Sequence, residues 1–265
     1  MAGTALLGPG DPPPFDALNM RSASRALVVC DHASCRIPAA LGNLGVSEAE
    51  RIEHIGWDIG AAAVARRLAA LLDAPAILAG YSRLVIDCNR PEAAPDRIPA
   101  ESDSVPVPGN ANLDEAAVEA RIAAIFTPYH DAIHDALERM CARGDVPVLI
   151  AVHSFTPQLA GGEPRPWEIG VCWDKDQRMS APLIERLRAE GINVGANAPY
   201  DFGILTDYTV PVHAESRGLP SLLVEIRNDE IRTPAEIETW AQRLARHIPA
   251  LLALPETQRI EHAAG

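Results

Sequence analysis

Four short apolar runs of strand character each lead into a polar motif. Ala26 to Cys30 precedes Asp31 and His32, and Leu84 to Ile86 precedes Asp87, Asn89 and Arg90. Pro147 to Val152 precedes His153 and Ser154, and Leu222 to Val224 precedes Glu225 and Arg227. In an open α/β sheet the strand ends converge on one edge, which is where such folds place their sites. Two imidazoles, a carboxylate and a guanidinium are therefore expected in one cleft.

Helical signals alternate with these runs. Ser47 and Glu50 have capping-box spacing and open a short helix through about Ile55. Asp58 precedes an amphipathic run in which Ile59, Ala62, Val64 and Leu68 face inward while Arg66 and Arg67 face out. The longest helical pattern runs from Asp114 to Arg143, and Pro128 should kink or split it. Further strands are expected at 75–78, near 167–173 and at 192–194, with helices near 179–190 and 211–217 and a closing helix over 234–252. This alternation predicts an α/β fold with a central sheet and helices on both faces. No repeat or linker divides the 265 residues, so 21–265 are expected to form a single domain. Residues 1–20, with Gly-Pro-Gly and a triple proline, read as a flexible N-terminal tail. Residues 91–113 lack periodicity and leave directly from Asn89 and Arg90, which suggests a wall or lid over the cleft.

Composition removes several classes of function. A net charge of −13 gives no basic field for nucleic acid or an anionic membrane. No apolar stretch approaches the roughly 18 residues of a membrane span, and the first twenty residues lack the basic start and apolar run of a secretory signal. Five cysteines, an odd number mostly in apolar surroundings, fit a reduced cytoplasm better than a disulfide framework. In so acidic a chain a carboxylate substrate must depend on local arginines, of which Arg83, Arg90 and Arg227 flank the strand ends. A serine-hydrolase reading lacks its Gly-x-Ser-x-Gly elbow.

The four motifs follow the order found in zinc carboxypeptidases and aspartoacylases, and their wording is closer still to the N-formylglutamate amidohydrolase family. The chain resembles that family in Asp-His-Ala-Ser-Cys-Arg-Ile-Pro at 31–38, Ser-Arg-Leu-Val-Ile-Asp-Cys-Asn-Arg-Pro at 82–91, His-Ser-Phe-Thr-Pro at 153–157 and Glu-Ile-Arg-Asn-Asp at 225–229. The likeness runs from about Leu27 to Arg246. It implies a zinc-carboxypeptidase-like mixed, largely parallel sheet, one zinc ion and hydrolysis of the amide of a small N-acyl amino acid. N-formyl-L-glutamate is the leading substrate. The alternatives are another N-acyl amino acid or small peptide, or a non-catalytic metal or amino-acid binding protein on the same scaffold.

Catalytic zinc commonly takes His, His and a carboxylate and keeps a position open. His32 and His153, each at the end of an apolar run, are the imidazole candidates. The glutamate that carboxypeptidases and aspartoacylases place three residues after the first histidine is Cys35 here, a less familiar ligand. The resemblance favours Asp58 as the third ligand, because formylglutamate deformylases carry a Trp-His step at the matching place; a helix-capping role for Asp58 stays open. Glu225 is the candidate general base. The resemblance assigns Asn89 and Arg90 to the substrate carboxylate, a task that suits the planar guanidinium fork. Arg83 is a candidate for polarising the scissile carbonyl or holding a carboxylate, His213 for oxyanion stabilisation or substrate contact, and His130 for the cleft lining.

Overall fold

The computed structural model describes residues 6–200 and 202–262. In chain order the strands are β1 (Phe15–Leu18), β2 (Ala26–Cys30), β3 (Ala76–Ala79), β4 (Glu101–Ser102), β5 (Val105–Pro106), β6 (Val148–Phe155), β7 (Ile169–Cys172), β8 (Val194–Ala196) and β9 (Ser221–Arg227). The α-helices are α1 (Glu48–Arg51), α2 (Ala61–Leu71), α3 (Glu115–Arg121), α4 (Thr127–Ala142), α5 (Ser180–Ala189), α6 (Thr209–His213) and α7 (Pro234–Leu252). Seven strands form one mixed sheet in the order β1-β3-β2-β6-β9-β7-β8. β3, β2, β6 and β9 are mutually parallel, β7 runs antiparallel to β9, and β1 is antiparallel to β3. The chain is thus a single α/β domain with a mostly parallel mixed sheet.

Alternation along the central strands separates two cores. Val28, Ile150 and Val224 face one side, where α2, α5 and α7 pack, whereas Val29, Ala151 and Leu223 face the other, under α4 and α6. Successive side chains of a strand point to opposite faces, so a doubly covered sheet needs apolar residues at every position. The five residues of β2 are all buried, as that requires. α7 opens with a capping box between Thr233 and Glu236 and with Pro234 in its first turn. Its Trp240, Leu244, Ile248 and Leu251 are buried, each apolar side chain contributing roughly 1.5–3 kcal/mol. No helix of the described residues is long and apolar enough to cross a membrane.

The structure departs from the sequence expectation in four places. Residues 1–5 lie outside the described residues, but the rest of the expected tail at 1–20 is not loose, since Phe15–Leu18 add β1 to the sheet edge. Proline cannot donate to a ladder and is tolerated at such an edge; here the Pro14 carbonyl accepts from the Gly80 amide at 2.8 Å. Leu84 to Ile86 are buried but form a turn instead of a strand. The Ser82 hydroxyl accepts from Leu84 N–H at 3.1 Å, and Asn110 and Arg121 donate to the carbonyls of Leu84 and Val85, both at 2.8 Å. Those backbone groups therefore need no neighbouring strand. The expected long helix is unbroken as α3, a π-helical stretch over Ile122–Phe126, and α4, with Pro128 in the first turn of α4. Pro128 has no N–H for the preceding turn, and Thr127 N–H bonds Ile122 O, five residues back. Finally, the stretch 91–113 holds the short hairpin β4–β5 and braces the turn before Asn89, and none of its residues lines the cavity described next.

Candidate active site

Parallel pairing of β2, β6 and β9 brings their C-terminal ends to one edge. β2 ends at Cys30, so Asp31 and His32 emerge there, while β6 and β9 continue further and carry His153 and Glu225 within their last turns of pleat. His153 and Glu225 are register partners on adjacent strands, and by the two-residue period both point to the face that carries α4 and α6. They meet His32, Asp58, Arg83 and Arg90 in a cavity of about 250 Å³. Asp58 does not cap a helix: the residue before α2 is Gly60, in a left-handed conformation and without a side-chain cap. A bond from Asp58 N–H to His32 O at 3.0 Å pins the segment instead, leaving the carboxylate free to enter the cavity.

Asp58 Oδ2 lies 3.0 Å from His153 Nδ1 and 3.4 Å from His32 Nδ1. Two ligands each bound at 2.0–2.1 Å to a tetrahedral ion are about 3.4 Å apart, and candidate ligand atoms of the three residues all lie within 4.8 Å of one another. The far nitrogens are fixed by two further carboxylates. His32 Nε2 is 2.7 Å from Asp87 Oδ1, and His153 Nε2 is 2.9 Å from Asp31 Oδ2. A carboxylate that accepts a hydrogen bond from Nε2–H leaves the Nδ1 lone pair for an ion. His32 Nδ1 is buried and has no hydrogen-bond partner. The donor set, its spacing and this orphaned nitrogen fit a divalent metal; Cys35 lies elsewhere, bonded through its sulfur to Arg51.

Charge at the site is strongly coupled. Burial would raise the pKa of Asp31, yet its hydrogen bond to His153 and the nearby imidazoles bring it down to about 2. Asp31 Oδ1 also accepts from the hydroxyls of Tyr129 at 2.9 Å and Thr209 at 2.5 Å. Burial acts against ionised Asp58 too, but Arg83, His32 and His153 hold it well below the usual carboxylate range. Arg83 donates to Asp58 Oδ1. Glu225 is the contrast. Burial pushes its pKa up to about 7, only partly opposed by His153 and Arg83, and its Oε2 has no partner.

Arg90 lines the same cavity, held by Asp96 at 2.9 Å and the Thr206 carbonyl at 2.8 Å. Asn89 lines it as well, but its amide is committed to the segment before α6. Its Oδ1 accepts from the N–H groups of Tyr208 and Thr209 at 3.1 and 3.0 Å, and its Nδ2 donates to Asp207 at 2.8 Å. The wall comes from this segment, through Tyr200, Phe202, Thr206 and Asp207. It passes close over the sheet because Gly170 lies opposite Glu225, and a Cβ there would collide with the Ala198 carbonyl.

Three expected site residues are not among the cavity lining: His130, His213 and Arg227. Arg227 turns to Asp229 and Glu230 at 2.7 and 3.0 Å. His130 Nε2 lies 2.8 Å from the Cys88 carbonyl, which can only accept, so Nδ1 must accept from His213 Nε2–H at 3.0 Å. Both rings are buried beside Phe126 and Tyr208. Burial pushes their pKa values down to about 4 for His130 and about 3 for His213.

These depressed values have a testable sign. The unfolded chain takes up protons that the folded pair refuses, so the stability carried by the neutral pair is present above pH 6.5 and is lost as pH falls toward 4. The loss is roughly 2 kcal/mol per histidine at pH 5. The melting-temperature advantage of wild type over a His130→Gln/His213→Gln variant should narrow between pH 7.5 and 5. Parallel curves would show that the pair does not exclude protons.

The residues unassigned by sequence reasoning are the carboxylates behind the imidazoles, Asp31 and Asp87, and the wall residue Asp207. Asp31 and Asp87 stand within the motifs themselves, but nothing local pairs Asp87 with His32. No curated protein matches the chain. A gene product of Agrobacterium tumefaciens of known structure is 34% identical, with a TM-score of 0.89 over 94% of this chain and 98% of that one. The N-formylglutamate amidohydrolase of Ralstonia eutropha, 20% identical, shares the fold with a TM-score of 0.61 over 93% of this chain and 98% of its own. The sequence profile of the N-formylglutamate amidohydrolase family matches residues 24–232, nearly all of the sheet and every residue of the cavity, and the chain belongs to that family.

Proposed function

We propose that the protein is a zinc-dependent amidohydrolase that cleaves the amide of a small N-acyl amino acid, the class to which N-formyl-L-glutamate belongs. The observation that carries this reading is the register pairing of His153 with Glu225, which sets a carboxyl of pKa about 7 beside the His32–Asp58–His153 triangle. His, His and carboxylate donors suit zinc. When bound there, the ion would supply acidification of water and polarisation of the acyl carbonyl.

The chain's own groups account for the remaining steps. Glu225 takes a proton from the attacking water and returns it to the departing amine nitrogen, and a pKa near neutrality serves both transfers. Arg83, anchored on Asp58, presents positive charge to the oxygen of the acyl group as negative charge develops on it. Arg90 holds the carboxylate of the amino acid, and Asn89 keeps the wall segment in place beside it. Asp31 and Asp87 keep both imidazoles oriented. Products are a carboxylate and a free amino acid.

The test is a panel of N-formyl and N-acetyl amino acids, each with its carboxamide analogue, assayed with zinc-loaded protein. Acids should be hydrolysed with a much lower KM than their carboxamides. Arg90→Ala should cost the acids about 2–5 kcal/mol in binding, read as a raised KM, with little further loss for the carboxamides. Absence of turnover across the panel overturns the proposal, and equal losses for acids and carboxamides would make Arg90 structural.

A further inference from the structure

Among the described residues, each acid that lines the cavity has a place in the reading above except Asp207. Its Oδ1 accepts from the Asn89 amide at 2.8 Å, and its Oδ2 is 2.8 Å from the Thr206 hydroxyl and 3.4 Å from Gly203 N–H. Arg90 Nη1 is 3.8 Å from the same Oδ1. Burial raises its pKa, while these donors and Arg90 favour the anion. The amide of Asn89 and part of the charge of Arg90 are thus already engaged by a carboxylate of the protein itself.

Among the described residues, apart from the two imidazoles of the candidate metal site, only Arg83 and Arg90 bring positive side chains to the cavity lining. Both have carboxylate partners within the chain, Arg83 in Asp58 and Arg90 in Asp96 and Asp207. One substrate carboxylate can still be met by Arg90. A second would find no guanidinium of the described lining without a carboxylate partner and would lie near the Asp207 carboxylate, in a partly enclosed space where like charges repel more strongly than in water.

We infer that Asp207 is a specificity-determining residue that turns this site toward N-acyl amino acids with a single carboxylate and an uncharged side chain, and away from dicarboxylates such as N-formyl-L-glutamate. The inference rests on the amidohydrolase reading and narrows its substrate class. The closest chemical comparison is N-formyl-L-glutamine, which matches N-formyl-L-glutamate in size and lacks only the second charge.

The experiment measures kcat/KM for these two substrates with zinc-loaded wild type, Asp207→Asn and Asp207→Glu. In parallel, L-glutamine and L-glutamate are titrated calorimetrically into the Glu225→Gln protein with Asp207 present or replaced by Asn. Wild type should prefer the glutamine derivative. Asp207→Asn should move the ratio toward the glutamate derivative by about tenfold or more, whereas Asp207→Glu, which keeps the charge, should hold the wild-type ratio. The calorimetric ratio of glutamate to glutamine should move in the same direction. Ratios unchanged by Asp207→Asn in both measurements overturn the inference. If wild type hydrolyses neither substrate, the amidohydrolase reading falls, and the calorimetric ratio alone decides for or against Asp207.

Discussion

Glu225→Gln is expected to lower kcat by roughly 100-fold to 10,000-fold while leaving metal content and substrate binding close to wild type. Glutamine keeps the size of the side chain but cannot accept a proton from water. The position is unusual in the chain. Glu225 belongs to a strand whose neighbours Val224 and Ile226 are fully buried, yet its own Oε2 is buried without a partner. A carboxylate oxygen buried without a hydrogen bond costs stability, and here burial raises the pKa to about 7. The substitution should therefore leave the protein at least as stable as wild type, so lost activity cannot be traced to unfolding. Turnover, KM, zinc content and melting temperature measured on one preparation decide the matter. Near-normal turnover in a zinc-replete Glu225→Gln protein would remove Glu225 as the base.

The second large effect concerns the metal. His32→Ala should abolish stoichiometric zinc binding and with it turnover, because it removes one of three convergent donors. Its Nδ1 makes no hydrogen bond, so the fold loses mainly the contact of Nε2 with Asp87. A graded companion comes from the carboxylates behind the imidazoles. Asp87→Asn keeps shape but weakens the hold on the His32 ring, and zinc affinity should fall about 10- to 100-fold. Competition with a chromogenic chelator measures both variants, and circular dichroism confirms that they are folded. Wild-type affinity in a folded His32→Ala protein would mean that the triangle is not the metal site. Unchanged affinity in Asp87→Asn would limit that residue to packing.

Much of this arrangement is legible along the chain. Apolar runs located β2, β6 and β9, the capping-box spacing of Ser47 and Glu50 located α1, and the end of each central strand supplied a polar motif. His32, His153, Glu225 and Arg83 were marked by residue type and position, and Asp58, Asn89 and Arg90 by the family resemblance; the structure gathers all seven in one cavity. The same reading placed His130, His213 and Arg227 there too. It could not foresee that two histidines would satisfy each other away from the cavity, or that Asp229 and Glu230 would hold Arg227.

Sequence by itself determined the α/β class, the order of the site motifs and the chemical types brought to the sheet edge, because hydrophobic period and strand ends are properties of neighbouring residues. Tertiary structure alone decided which partners those groups meet. Asp87 reaches His32 across 55 residues and Asp31 reaches His153 across 122, and Asp207 enters the cavity from the wall segment before α6. Strand order and the path of each crossover set those separations, and side-chain pairing, burial and pKa follow from the resulting distances. Neither the single strand nor the single helix contains that information.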